Sequence, residues 1–204
     1  MSARLVFATS NAHKVEELEA ILAPAWEGFE AGCVARMSDF DVDSPVEDGV
    51  SFEENSLIKA RALARATGLA AIADDSGITV DVLGGSPGIF SARWAGSHGD
   101  DAANLRLLLD QLSDVPDRHR GAAFVSAAVL VTPDGREFVQ RGEVRGTLTR
   151  TPRGEGGFGY DPIFVPDGFE VTTAQMSPEE KNAISHRGIA FRALTPHIVD
   201  YLRG

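Results

Sequence analysis

The chain has 204 residues, 43% of them apolar and 24% charged. That is ordinary globular usage, and it excludes a disordered, collagenous or coiled-coil protein. Nineteen Lys and Arg against thirty Asp and Glu leave a net charge of −11, which argues against nucleic-acid binding through phosphate contacts.

The length fits one domain, expected over residues 1–204, with room for two lobes. The single cysteine, Cys33, excludes an intrachain disulfide and suits a reducing compartment. Its neighbours Gly32 and Val34 offer nothing to activate a thiol, so a small buried residue is expected. The N-terminus shows no charged-then-apolar signal pattern. The longest nearly apolar run, residues 122–131, is too short to cross a bilayer as a helix. A cytoplasmic protein without membrane contact is therefore expected.

Leu5-Val6-Phe7-Ala8 reads as a strand running into the polar loop Thr9-Ser10-Asn11. A helix follows, with Val15, Leu18, Ile21 and Leu22 on one face, Asn11 as N-cap and Pro24 marking its end. Residues 40–49 read as an acidic loop. The next helix starts at Ser51, which pairs with Glu54 as a capping box, and it stops at Gly68. A short strand, residues 69–73, is expected to end at Asp74-Asp75-Ser76-Gly77, with a second short strand over 78–82. A third helix, residues 101–112, carries Leu105, Leu108, Leu109 and Leu112 as a stripe. Residues 122–131 and 137–149 form a hairpin around Pro133-Asp134-Gly135. A glycine-rich loop spans 154–161, a helix starts at Ser177-Pro178, and a last helix covers 187–202. Helices and strands mix without strict alternation, which points to α/β or α+β architecture.

Several clusters could carry chemistry. A strand feeding a helix through Thr9-Ser10-Asn11-Ala12-His13-Lys14 aims backbone N–H groups, hydroxyls and a lysine at one point, a suitable seat for phosphate. It lacks the Walker A glycines, and a plain capped helix start is the alternative. Asp74-Asp75 places two carboxylates side by side, where a divalent cation would relieve their repulsion; a simple turn is the alternative. Asp75-Ser76-Gly77 also matches the aspartic-protease tripeptide, but that chemistry needs two such motifs and only one is present. Asn55 and Lys59, four apart, share one helix side, with Glu47 and Asp48 just upstream. Phe158 and Tyr160 stand among glycines in the 154–161 loop, where an aromatic ring could stack on a nucleobase or pack inward. Lys181 to Arg187 adds charge and donors, although Ser185 and His186 are adjacent and their spacing defines no triad.

The order of these blocks closely resembles the inosine triphosphate pyrophosphatase family, the house-cleaning non-canonical purine NTP pyrophosphatases. The matching residues are Thr9-Ser10-Asn11 with Lys14, Ser51 to Asn55 through Lys59-Ala60-Arg61, and Ala73 to Gly77. Val80 to Gly88 then leads into Ser91-Ala92-Arg93, followed by Gly156 to Pro162 and Glu180 to Gly188. The likeness covers nearly the whole chain and is weakest over residues 24–43 and 113–120.

The resemblance implies an elongated mixed β-sheet flanked by helices, two lobes with a cleft between them, and a homodimer. It implies Mg2+-dependent hydrolysis of ITP, dITP and XTP to the monophosphate and pyrophosphate. By resemblance, the loop Thr9, Ser10, Asn11, Ala12, His13 and Lys14 would hold the triphosphate, with Lys59 near the phosphates. Asp75 would be the catalytic base and a metal ligand, with Glu47 and Asp74 as further ligands. Ser76 would touch substrate, and Phe158, Gly159, Tyr160, Asp161, Lys181, His186 and Arg187 would surround the nucleoside. Three alternatives remain open. They are a relative acting on modified pyrimidine triphosphates, a nucleotide-binding regulator without turnover, and a phosphatase releasing orthophosphate. The last lacks the usual Asp-x-Asp after the first strand.

Overall fold

The computed structural model describes residues 3–204. Strand β1 (Leu5–Phe7) has all three residues buried, as a strand covered on both faces must. It lies parallel to β2 (Val34–Arg36) on one side and to β3 (Ala70–Val80) on the other. The sheet continues through β4 (Gly121–Val131) and β5 (Glu137–Leu148) to β6 (Phe164–Pro166), in the order β2-β1-β3-β4-β5-β6. Because β6 runs antiparallel to β5, the six-stranded sheet is mixed, and helices flank it. No helix among the described residues is long and apolar enough to cross a membrane.

The chain divides into two compact units. One holds residues up to Asp75, Ser126–Gly142 and Arg187–Gly204; the other holds Ser76–Val125 and Glu143–His186.

In the first unit, strand alternation sorts the apolar side chains into two cores. Leu5, Phe7, Ile72 and Leu130 pack with Leu18 of α1 (Ala12–Leu22) and Phe191 of α5 (His186–Arg203). Phe7 meets Phe191 edge-on, with ring centroids 5.5 Å apart. The intervening residues Val6, Ala71, Ala73 and Val129 pack with Ala60 and Leu63 of α2 (Phe52–Thr67). Cys33 is buried in the first of these cores, and burial pushes its thiol pKa up.

In the second unit, Leu108 of α3 (Asp101–Gln111) packs on Ile78, Val80, Ala122, Ile163 and Phe164. The buried guanidinium of Arg120 donates to the carbonyls of Leu112, Leu148 and Thr149 at 2.7, 2.8 and 2.8 Å, tying the end of α3 to the end of β5. The short helix α4 (Pro178–Ala183) starts at Ser177 with a full capping box and proline in its first turn.

Two local expectations are corrected. Asp74 to Gly77 is no turn between two strands: β3 runs unbroken for 11 residues through it. Gly77 has the extended backbone of the strand, and its lack of a side chain serves a close approach: a Cβ there would run into the Ser91 hydroxyl and the Gly88 carbonyl. The capping box at α2 is also half formed. The Ser51 Oγ accepts from Glu54 N at 3.1 Å, but the Glu54 carboxylate takes the Val50 N–H, at 2.7 Å. At the other end Gly68 closes the helix in the left-handed region, φ 68°.

Candidate active site

A continuous β3 changes the meaning of the paired carboxylates. Neighbours in a strand point to opposite faces, so Asp74 follows Ile72 toward α1 and α5 while Asp75 follows Ala73 toward α2. Asp74 is 4% exposed. Lys14 Nζ donates to its two oxygens at 2.9 and 3.1 Å, and Arg187 Nε donates to Oδ2 at 3.0 Å. Arg187 also lies 3.9 Å from the carboxylate of Glu17. Burial by itself would raise the Asp74 pKa. The Lys14 ammonium and the Arg187 guanidinium outweigh it and hold the carboxyl well below the usual range.

Asp75 belongs to a different network. Asn55 Nδ2 donates to its Oδ2 at 3.3 Å, and Lys59 Nζ lies 3.7 Å from Oδ1. Lys59 also donates to Glu47 Oε2 at 3.2 Å. Asn55 is fixed in turn, since its Oδ1 accepts the Gly49 N–H at 2.9 Å. This works because Asn55 and Lys59 are one helical turn apart on α2 and so share a side, and because the N-terminus of α2 anchors the loop that carries Glu47. Burial pushes the Asp75 pKa up, and the charges of Glu47 and Asp74 add to it; Lys59 and Asn55 oppose the shift without cancelling it.

The donor chemistry fits a hard divalent cation. The carboxylates of Glu47 and Asp75 converge on one positive group, the Lys59 ammonium. Mg2+ commonly takes one or two carboxylates and draws its other oxygens from water and phosphate. Among the described residues no group of three or more His, Cys, Asp or Glu is assembled for a metal. Asp74, the third expected ligand, has both oxygens on Lys14 and Arg187 instead.

The first loop joins β1 to α1 through a tight hydrogen-bonded bend. Thr9 N donates to Phe7 O at 2.7 Å, and Asn11 N donates to Thr9 Oγ1 at 3.1 Å. Ser10, Asn11 and Ala12 are exposed there, while Thr9 is buried. His13 falls in the first turn of α1, and its side chain lies outside the described residues.

The remaining expected residues lie mainly in the second unit, which begins at Ser76. Gly157 takes φ 72°, a turn that leaves Phe158 69% exposed. Phe158 N donates to Asp161 Oδ2 at 2.8 Å, and Lys181 Nζ donates to the same oxygen. The Lys181 ammonium also stands 4.9 Å from the Phe158 ring centroid. Gly159 N donates to Asp101 Oδ2 at 2.9 Å. Asp161 is buried and Tyr160 is a core residue whose hydroxyl donates to Ser91 O at 2.9 Å. These two anchor the loop. His186 stacks on Phe124, centroids 5.1 Å apart.

The structure thus assembles Lys14, Asp74 and Arg187; Glu47, Lys59 and Asp75; and Phe158, Asp161 and Lys181. Glu17 and Thr173 were missing from the sequence reading. Glu17 sits three residues after Lys14 on α1, a spacing that could have signalled it. Thr173, whose hydroxyl donates to Asp161 Oδ1 at 2.8 Å, lies in a stretch with no periodicity, and nothing local announced it.

One face of the sheet thus holds a buried carboxylate between two cations, and the other holds two carboxylates that share one lysine. The chain belongs to the Ham1 family, whose sequence model matches residues 5–197, a span that contains every site residue named above. It is 59% identical over 199 residues to a dITP/XTP pyrophosphatase of Streptomyces avermitilis and 57% identical over 199 residues to one of Streptomyces coelicolor, in each case over 98% of both chains. Among solved structures it resembles a nucleoside-triphosphatase, dITP/XTP pyrophosphatase, of Mycobacterium abscessus at TM-score 0.81 and 52% identity, over 95% of this chain and 98% of that one. A HAM1 protein from Coxiella burnetii matches at TM-score 0.88 and 37% identity, over 98% of this chain and 100% of that one.

Proposed function

We propose that this protein hydrolyses non-canonical purine nucleoside triphosphates, ITP, dITP and XTP, to the monophosphate and pyrophosphate. The observation that carries the reading is the division of labour across β3. Asp74 is locked between two cations, while Asp75 is half-buried beside Lys59 and Glu47 with a raised pKa. The names of the relatives supply the substrate class.

Asp75 accepts a proton from water as the water oxygen bonds to the α-phosphorus. The bond from that phosphorus to the bridging oxygen breaks, and pyrophosphate leaves with the electron pair. A carboxylate positioned to take that proton contributes about 10²- to 10⁴-fold. Mg2+, held by Glu47 and Asp75 with phosphate oxygens, would stabilise the charge growing on the leaving pyrophosphate. Lys14 and Lys59 bring positive charge to the phosphates, and the amides of the first loop hold them. Asp74 keeps Lys14 and Arg187 in place rather than serving the metal.

The base is met by Phe158 and the donors around it. Hypoxanthine and xanthine offer a 6-oxo acceptor where adenine offers an amino donor, so a donor-lined pocket left unpaired by adenine rejects it. We further infer from the family resemblance a cytoplasmic location and a homodimer, of which light scattering of the purified protein tests the second.

The experiment is product analysis with Mg2+ and ITP, dITP, XTP, GTP or ATP. Pyrophosphate and monophosphate from the first three, with little from GTP or ATP, is the expected result. Orthophosphate as the first product would replace the reading with a phosphatase. ITP binding without product would replace it with a sensor.

A further inference from the structure

The Gly154 to Asp161 loop, exposed as far as Phe158, has three positive-φ glycines, at 154, 157 and 159, so its own backbone preferences do little to fix it. What fixes it is a turn, Thr172 to Gln175, buried over its first three residues. The Thr172 hydroxyl donates to Arg153 O at 2.8 Å, where the loop begins. Gly156 N donates to Ala174 O at 3.0 Å, in its middle. The Thr173 hydroxyl donates to Asp161 Oδ1 at 2.8 Å, where the loop ends.

The third bond has a chemical consequence. Asp161 Oδ2 receives both Phe158 N–H and Lys181 Nζ, while Thr173 holds Oδ1. The threonine therefore sets the plane of the carboxylate that in turn sets the Lys181 ammonium and the Phe158 ring. The turn itself is well held. Thr172 and Thr173 are 0% and 5% exposed, and the Gln175 side chain accepts the Thr172 N–H at 3.0 Å. A Cβ on Gly154 would press on the Ala174 carbonyl, so loop and turn are fitted backbone to backbone.

We propose that Thr172 and Thr173 are positioning residues that latch the nucleoside loop and thereby set affinity and selectivity for the purine base. This rests on the proposed function in taking Phe158 and Lys181 as base contacts. Neither threonine touches substrate. Their effect passes through Arg153 O and Asp161.

The test replaces each hydroxyl with a methyl of equal shape, Thr172→Val and Thr173→Val, singly and together, with Thr172→Ser and Thr173→Ser as rescue. The double variant should raise the ITP KM about tenfold, leave kcat within about twofold, and narrow the ITP-to-ATP ratio of kcat/KM; the serine variants should restore KM and the ratio. Unchanged KM and selectivity in the double variant overturn the proposal. So does a fall in kcat that serine does not rescue, which marks a structural role alone.

A second measurement needs no turnover. Tryptic cleavage after Arg153 should quicken at least fivefold in Thr172→Val relative to wild type, with other cleavages unchanged. Equal cleavage overturns the latch. Quickened cleavage in a protein whose wild type turns over no ITP keeps the latch and overturns the functional reading instead.

Discussion

The two units hold their functional groups by different means. In the first, every side chain but that of Glu47, which a loop carries, comes from a strand or a helix, and all are fixed by charge: Asp74 between Lys14 and Arg187, Lys59 between Glu47 and Asp75. In the second, the exposed aromatic ring sits on a glycine loop tied down by hydrogen bonds to the turn at Thr172–Gln175 and by its own Asp161. Charge pairs on a rigid sheet suit chemistry, in which a small displacement of base or cation costs rate. A latched loop suits recognition, in which the site must meet the shape and polar edge of a base. Damage to the first unit should therefore appear in kcat and in folding, and damage to the second in KM and selectivity.

The largest expected effect breaks the first unit at its chemistry. Asp75→Asn keeps the shape and the Asn55 contact but removes the proton acceptor. Turnover of ITP should fall about 10³-fold, while binding of a non-hydrolysable analogue stays within about threefold. Activity within tenfold of wild type would remove Asp75 as the base. Next comes Asp74→Asn, which leaves Lys14 and Arg187 facing each other with no anion between them. Breaking a buried pair from one side costs about 3–5 kcal/mol, read as a melting temperature about 6–20 °C lower at this chain length. A shift under 2 °C would mean that the two cations rearrange freely, and the contrast between the units would weaken.

How much of this was legible in the sequence depends on how local the cause is. The helices were, because apolar spacing, Ser51, Gly68 and Ser177-Pro178 are local signals, and the structure puts α2 and α4 where those residues place them. The strands near Asp74 were not. Two acidic residues, a serine and a glycine read as a turn by composition, whereas Gly77 is there for the close approach of the Ser91 hydroxyl and the Gly88 carbonyl, more than ten residues away, to an extended strand. That one error hid the site's central feature, since adjacent carboxylates share a turn but face apart in a strand. The partners of Asp74 come from α1 and α5, more than a hundred residues apart in the chain, and no local pattern reports such a meeting. Tyr160 and Asp161 lay inside the expected binding block, and only their burial identifies them as anchors of the loop.

A substitution in the part of β3 that belongs to the second unit sharpens the contrast from the other side. Gly77→Ala places a methyl against Ser91 and the Gly88 carbonyl, and the Ser91 hydroxyl already holds Ile78 N–H at 2.9 Å. Overpacking of this kind costs about 1–3 kcal/mol. It should be read as a lower urea midpoint with an unchanged slope. Gly77→Ala adds no charge and removes none, so the loss should be independent of salt. The Asp74→Asn loss, by contrast, depends on unpaired cations, and added pyrophosphate should partly restore it. A Gly77→Ala protein as stable as wild type would mean that the Gly88 loop yields.

The smallest effect concerns a charge pair outside the site. Arg61 of α2 grips Glu137 of β5 with two hydrogen bonds of 2.7 Å, but both side chains are substantially exposed, at 41% and 32%. Pairs in water contribute about 0.2–1 kcal/mol, bidentate geometry favouring the upper part. Glu137→Gln should therefore lower the melting temperature by about 1–4 °C, and raising the salt concentration should shrink the difference. The sign with pH follows from Arg61, which holds the Glu137 carboxyl below its ordinary 4.5. The pair's contribution is full above that value and fades as the pH falls through the lower, folded-state value. Wild type and Glu137→Gln should thus differ at pH 7 and converge in acid. If they differ as much at pH 3 as at pH 7, the glutamate acts through packing of its stem and the charge of this pair carries no stability.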